Sequence, residues 1–261
     1  MIPRDYITEW RDQAPWVDDA QVEQDLVISR ALIDIFSHET LRHALAFRGG
    51  TALFKLHLPA ARYSEDIDLV QVKAEPAGSV MDALREVLDP WLGEPKRKQN
   101  MALVTLAYRF QSEGGQPLRL KVEINTREHF AVEGFREIPF AVNSRWYEGS
   151  CSILSYELNE LLGTKLRALC QRKKGRDLFD LAIALNDDAA DPDKIIAAFY
   201  TYMEHAEHKV TRKQFQENIA AKLKDKNFAS DIGPLLASGY EWDLIAMSEK
   251  VDKALISRLS H

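Results

Sequence analysis

The chain has 261 residues, 46% apolar and 28% charged, with 34 Lys and Arg against 40 Asp and Glu for a formal net charge of −6. That balance belongs to one large or two modest globular domains, and it excludes a disordered chain, a collagen-like fibre and a disulfide scaffold. No apolar run approaches the ~20 residues of a membrane helix, and the opening MIPRDYITEW lacks a leader-like apolar core, so a cytoplasmic protein without membrane association is expected.

In chain order, residues 19–36 read as a helix, with Val22, Leu26, Ile33 and Phe36 near a 3.6-residue period. A short extended run at 46–48 leads into Gly49-Gly50, and Thr51 is placed to cap a brief helix over 52–58 that stops at Pro59. A strand is expected over 63–70 and a helix over 80–92. Two long β-type runs, 101–111 and 117–125, flank Gly114-Gly115 as a hairpin, and a short strand fits 138–142. From residue 155 onward strand patterning stops. Helices are expected at 156–171, 176–185, 193–204 and 242–259. Another runs from a Thr211 cap, with Gln214 completing a capping box, to residue 223. The expected division is an α/β domain over 1–152, with an N-terminal helix, and an all-helical domain over 153–261.

The chemistry-bearing segment is Arg62-Tyr63-Ser64-Glu65-Asp66-Ile67-Asp68-Leu69. Alternation along a strand puts Ser64, Asp66 and Asp68 on one face and Ile67 and Leu69 on the other. Two carboxylates one residue apart repel unless a positive charge joins them, and a divalent cation with oxygen ligands is one answer; an exposed acidic strand end is the other. Gly49-Gly50-Thr51 precedes this pair and fits either a phosphate-binding helix start or a tight strand–helix turn. Downstream, Leu118, Leu120, Val122 and Ile124 alternate with Arg119, Lys121, Glu123 and Asn125. Glu123 is therefore a third strand carboxylate, either a metal ligand or part of a solvated face.

A glycine turn, a DxD strand and a further acidic strand are the layout of the nucleotidyltransferase fold. Phe47-Arg48-Gly49-Gly50-Thr51-Ala52-Leu53 followed by Arg62 through Leu69 resembles the signature of the AbiEii/AbiGii toxin nucleotidyltransferases. That family includes toxins of bacterial abortive-infection systems and the MenT-like toxins. A second block, Glu160 through Leu169 and then Gly175-Arg176-Asp177-Leu178-Phe179-Asp180-Leu181, is similar to the family's helical motifs.

The resemblance implies a mixed sheet with helices, in the nucleotidyltransferase fold, followed by a helical half that contributes active-site residues. It implies that Asp66 and Asp68 hold Mg2+ (or Mn2+) and bind the triphosphate of an NTP co-substrate. Gly49, Gly50, Thr51, Ser64 and Arg48 would line the nucleotide site. Lys165 would contact its phosphates, and Asp177 would support nucleotide or lysine placement. Glu123 joins the metal set from the wider fold alone. The implied acceptor is RNA, with the 3′ end of tRNA preferred, and the implied partner is a cognate antitoxin.

Other motifs fail. Gly163-Thr164-Lys165 lacks P-loop spacing, and there is no HExxH or GxSxG. Cys151 and Cys170, nineteen residues apart, form no CxxC pair and fit reduced thiols with no zinc site. Basic residues gather at Arg167, Arg172, Lys173, Lys174 and Arg176 and at Lys96-Arg97-Lys98, which fits an RNA backbone or solvated helix ends. Two further readings stand beside the tRNA-modifying toxin. One is the same transfer to a protein hydroxyl or small molecule; the other is an inactive nucleotide- or RNA-binding module.

Overall fold

The computed structural model describes residues 2–260, and the chain divides into two compact units, Met1–Tyr156 and Glu157–His261. The first opens with α1 (Arg4–Trp10), α2 (Asp19–Ser37) and α3 (Glu39–Ala44). Asp18 caps α2 by accepting from the Ala20 amide. Strand β1 (Leu45–Arg48) then runs into α4 (Gly49–Ala52), which continues as a π-helical turn over Leu53–His57. There follow β2 (Asp66–Gln71), α5 (Gly78–Leu92), β3 (Lys96–Gln99), β4 (Leu103–Gln111), β5 (Pro117–Asn125), β6 (Phe135–Asn143) and β7 (Glu148–Tyr156).

The seven strands form one mixed sheet in the order β3-β4-β5-β2-β1-β7-β6. Strand β2 is antiparallel to β1 and parallel to β5, and β1 is parallel to β7. Alternation sorts the sheet's two faces. Ile67, Leu69, Val104, Leu106, Tyr108, Val122 and Ile124 are buried, and the Tyr108 hydroxyl donates to Asp89 on α5 at 3.0 Å, which places α5 over that face. The opposite face carries the carboxylates.

The second unit is helical: α6 (Leu158–Gln171), α7 (Gly175–Ala184), α8 (Pro192–His205), α9 (Arg212–Leu223), α10 (Lys226–Ser230) and α11 (Leu244–Ala254), with a closing 3-10 turn over Ile256–Arg258. Its core gathers Leu162, Leu166, Phe179, Phe199, Tyr202, Phe215 and Phe228. Helices α6 and α8 cross at Gly163, where a Cβ would lie 2.6 Å from Ala198 Cβ and 2.9 Å from the Ile195 carbonyl oxygen. The glycine of the failed P-loop match is thus a packing residue. Thr211 and Gln214 form the expected capping box.

Several expectations are corrected. Thr51 caps no helix: α4 begins two residues earlier, at Gly49, and the helical segment ends in a π turn. Strand β2 starts at Asp66, so Ser64 lies before the strand. The last long helix is shorter than 242–259, beginning at Leu244 after an Asp243 cap. Strands β3 and β7 and helices α1 and α3 were not expected from the pattern; β3 is wholly exposed Lys-Arg-Lys-Gln, which carries no alternation. Among the described residues, no helix is long and apolar enough to cross a membrane. Both cysteines are free thiols, and burial pushes Cys151 up to about 11.

Candidate active site

Ile67 and Leu69 are buried in the sheet, which turns Asp66 and Asp68 together to the other face, each half-exposed. Strand β5 lies parallel beside them in a register that sets Asp66 level with Lys121 and Asp68 level with Glu123. The Lys121 ammonium sits 2.9 Å from Glu123 Oε1 and 3.7 Å from Asp66 Oδ2. Thr105 on β4 also donates to Glu123 Oε1, at 3.3 Å. The three carboxylates that the sequence placed on strand faces therefore share one patch of sheet, with a lysine bridging two of them.

Asp66 is the strained member. Its Oδ1 is buried with no hydrogen-bond partner. Burial pushes its carboxyl up to about 6; Lys121 pulls the other way, while Asp68, Glu65 and Glu123 add to the rise. For Lys121, burial opposes the charge, but Glu123 and Asp66 outweigh it and hold the ammonium above its ordinary value.

The glycine turn meets this patch directly. Arg48 pairs with Asp68 across β1 and β2, and Gly49 follows at φ +84°, a conformation that side chains disfavour. A Cβ on Gly49 would fall 2.2 Å from Asp68 Oδ2. Only a residue without a side chain lets the backbone come this close to the carboxylate. The Thr51 hydroxyl donates to the Asp66 carbonyl at 2.6 Å and lies 2.9 Å from Ser64 Oγ, tying the turn to the start of β2. Thr51 and Ser64, with Arg62 and Lys55, border a cavity of about 250 Å³. Arg48 forms a 2.6 Å ion pair with Glu128.

In the second unit, Lys165 is buried on α6 and its ammonium lies 2.8 Å from Asp180 Oδ2 and 3.4 Å from Asp177 Oδ1. Arg172 grips Asp177 with two bonds of 2.7 Å. Burial works to raise the Asp177 carboxyl, but Lys165 and Arg172 outweigh it and hold it below the usual carboxylate range. Asp177 and Asp180, three apart on α7 and so on one face of it, present to one lysine. Arg176, by contrast, turns to Asp231, 3.9 Å away.

Two partners were invisible to sequence reasoning. Glu128 stands in a loop where only the local Asn125 turn, whose Oδ1 accepts from the Arg127 and Glu128 amides, gave any signal. Arg172 stood in a basic run with nothing to set it apart from Lys173 and Lys174.

No curated protein matches the chain. Among solved structures, it is similar to MenT4, a nucleotidyltransferase toxin of Mycobacterium tuberculosis H37Rv, at 18% identity and TM-score 0.70, covering 100% of this chain and 91% of that one. It is also similar to JHP933 of Helicobacter pylori, at 15% identity and TM-score 0.55, covering 91% of this chain and 90% of that one. These likenesses show the nucleotidyltransferase fold. Residues 30–253 match the sequence model of the nucleotidyl transferase AbiEii toxin of type IV toxin–antitoxin systems. The chain therefore belongs to the AbiEii family of toxin nucleotidyltransferases, and with that family come an NTP substrate and an antitoxin partner.

Proposed function

We propose that this toxin moves an NMP from an NTP to the 3′ end of tRNA, using divalent cations held by Asp66 and Asp68, and so blocks aminoacylation and growth in the cytoplasm. The observation that carries the metal reading is Asp66 itself. A buried acceptor oxygen with no donor, on a carboxyl pushed up by burial and neighbouring carboxylates, is a position that a bound cation would satisfy. Among the described residues no three His, Cys, Asp or Glu side chains gather as a ligand set. The donors that fit are thus the Asp66–Asp68 pair, with substrate phosphates completing the shell, as suits Mg2+ or Mn2+. Bound cations supply charge neutralisation on the triphosphate and a more acidic acceptor hydroxyl.

The chain's own residues supply the rest. In the transfer, the acceptor hydroxyl oxygen bonds to the α-phosphorus, the α–β bridging bond breaks and pyrophosphate leaves. Gly49 brings the backbone against Asp68, and its amide and that of Gly50 would face the triphosphate there. Thr51 and Ser64 brace that turn, and Arg48, held by Glu128, adds positive charge beside it. Glu123, paired with Lys121, would serve as a further ligand or as a base toward the acceptor proton. Lys165 contacts the nucleotide phosphates and Asp177 orients its ammonium; family membership, not distance, supports these two roles.

The test incubates the full chain with Mg2+, each α-³²P-labelled NTP separately, and total cellular RNA, with Asp66→Ala in parallel. Label in tRNA-sized RNA that falls on the order of 10²-fold or more in the variant is the expected result, since Lewis-acid stabilisation is worth several kcal/mol. Label on protein instead overturns the RNA acceptor, and equal labelling by the variant overturns the role of Asp66.

A further inference from the structure

Strand register carries a set of cations onto the face of the sheet that holds Asp66 and Asp68. Asp66 is level with Lys121 on β5, Ala107 on β4 and Lys96 on the edge strand β3. One step along, Asp68 is level with Glu123, Thr105 and Lys98. One step the other way, Arg119 stands directly opposite Arg109. Cross-strand partners share a face, and so do residues two apart, so Lys96, Lys98, Arg109, Arg119 and Lys121 all lie on the carboxylate side. The first four are exposed, whereas Thr105 and Ala107, small and half-buried, make a low floor between β3 and β5. On these three strands the one carboxylate on that face is Glu123.

Lysines on an edge strand are also a device against edge-to-edge pairing, which suffices for Lys96 and Lys98. Arg109 and Arg119 stand opposite each other where the β4–β5 hairpin extends past its pairings with β3 and β2, and like charges directly opposite on a ladder destabilise it. Among the described residues neither guanidinium has a carboxylate within ion-pair distance. A pair kept at that cost in a chain of net charge −6 points to an anion that lies between and beside them.

We propose that the phosphodiester backbone of the RNA acceptor crosses β5, β4 and β3 on this face, held by Lys96, Lys98, Arg109 and Arg119, so that its terminal hydroxyl reaches the Asp66–Asp68 pair. This rests on the RNA reading given above. A strand whose reactive hydroxyl is at its end must trail its phosphates away from the reacting point, and this face provides a cationic path that begins there. An acceptor that is a protein side chain needs no such line of charge.

The test measures binding of fluorescently labelled tRNA to the full chain, without NTP, from 50 to 200 mM salt. The variants are Lys96→Gln/Lys98→Gln, the fourfold Lys96→Gln/Lys98→Gln/Arg109→Gln/Arg119→Gln, and Arg97→Gln, which alters the other face of β3. The fourfold variant should bind at least ten-fold more weakly at 100 mM salt. Its log–log salt slope should be shallower by about 0.7 for each phosphate that is no longer neutralised. The edge pair alone should lose a few-fold, which keeps the test open should the fourfold variant fold poorly. Arg97→Gln should bind as wild type, and Mg2+–NTP affinity should be unchanged throughout. Unchanged tRNA affinity in both multiple variants overturns the path while leaving RNA as the acceptor, and so does an equal loss in Arg97→Gln. A wild-type chain that neither binds nor labels RNA overturns the path together with the RNA acceptor.

Discussion

Gly49 and Asp68 are fitted to each other: the glycine's missing Cβ would lie 2.2 Å from the carboxylate oxygen Oδ2. The backbone of the turn and a proposed metal ligand thus occupy adjoining space that no side chain can enter. Gly49→Ala must move Asp68, and at φ +84° it also strains the backbone. We expect nucleotidyl transfer to fall on the order of 10²-fold or more, with overall stability reduced by about 1–3 kcal/mol. Single-turnover labelling and denaturant unfolding of the same preparation check both. Retained activity would show that Asp68 needs no fixed position.

Lys121 stands where positive charge is most needed, between Asp66 and Glu123. Lys121→Met leaves those carboxylates with less compensation. In chelator the variant should melt several degrees below wild type, since about 1 kcal/mol corresponds to 2–4 °C in a chain of this size. Added Mg2+ should raise the melting temperature of the variant more than that of wild type, because a ligand that binds only the native state stabilises it. Asp66→Asn should abolish the Mg2+ effect. Equal Mg2+ shifts in all three proteins would remove the carboxylate pair as the metal site.

Asp177 bears on stability against acid. Its folded pKa lies below the usual value, so its contribution is complete above the unfolded value near 3.9 and is lost as pH falls through the folded one. Asp177→Asn takes one of two carboxylates from Lys165, which keeps Asp180 at 2.8 Å, and should cost on the order of 1–3 kcal/mol at pH 7. Below about pH 4 the gap between variant and wild type should narrow. Urea unfolding of the full chain from pH 7 to pH 3 reads this directly; a gap that widens in acid would contradict the assignment.

Gly163 sets how closely α6 and α8 approach. A methyl there meets Ala198 Cβ and the Ile195 carbonyl, so Gly163→Ala should destabilise by about 1–3 kcal/mol despite its better helix propensity. Gly163→Ala combined with Ala198→Gly should recover part of the loss, since the clashes with the Ile195 carbonyl and the Phe199 amide remain. A double variant as unstable as the single would place the strain on the backbone contact alone.

Where the sequence was legible, a physical rule applied locally. Alternation of Leu118, Leu120, Val122 and Ile124 located β5 over its full span of Pro117–Asn125, and the same rule put Asp66, Asp68 and Glu123 on polar faces. Thr211 and Gln214 announced α9 because a capping box is a four-residue device. The misses are non-local. Strand β3 is held by β4 alone and has no apolar face to pattern, and β7 reads weakly because only Ile153, Ser155 and Tyr156 are fully buried. That Lys121 would bridge Asp66 and Glu123 followed from register, which depends on which strands become neighbours. Glu128 as the partner of Arg48 spans eighty residues of sequence and carries no periodic signal.

The sheet order has a consequence for the order of synthesis. Strands β1 and β2 carry the glycine turn and the paired aspartates, yet they lie in the middle of the sheet, flanked by β5 and β7. The Ser155 hydroxyl closes the far side by donating to the Phe47 carbonyl at 2.7 Å. A nascent chain that has emerged only as far as β2 holds the glycine turn and both aspartates but neither flanking strand. Pairings of such sequence separation are late and slow to form. The strands that flank the glycine turn and the paired aspartates on both sides are therefore in place only once the chain has been made as far as residue 156.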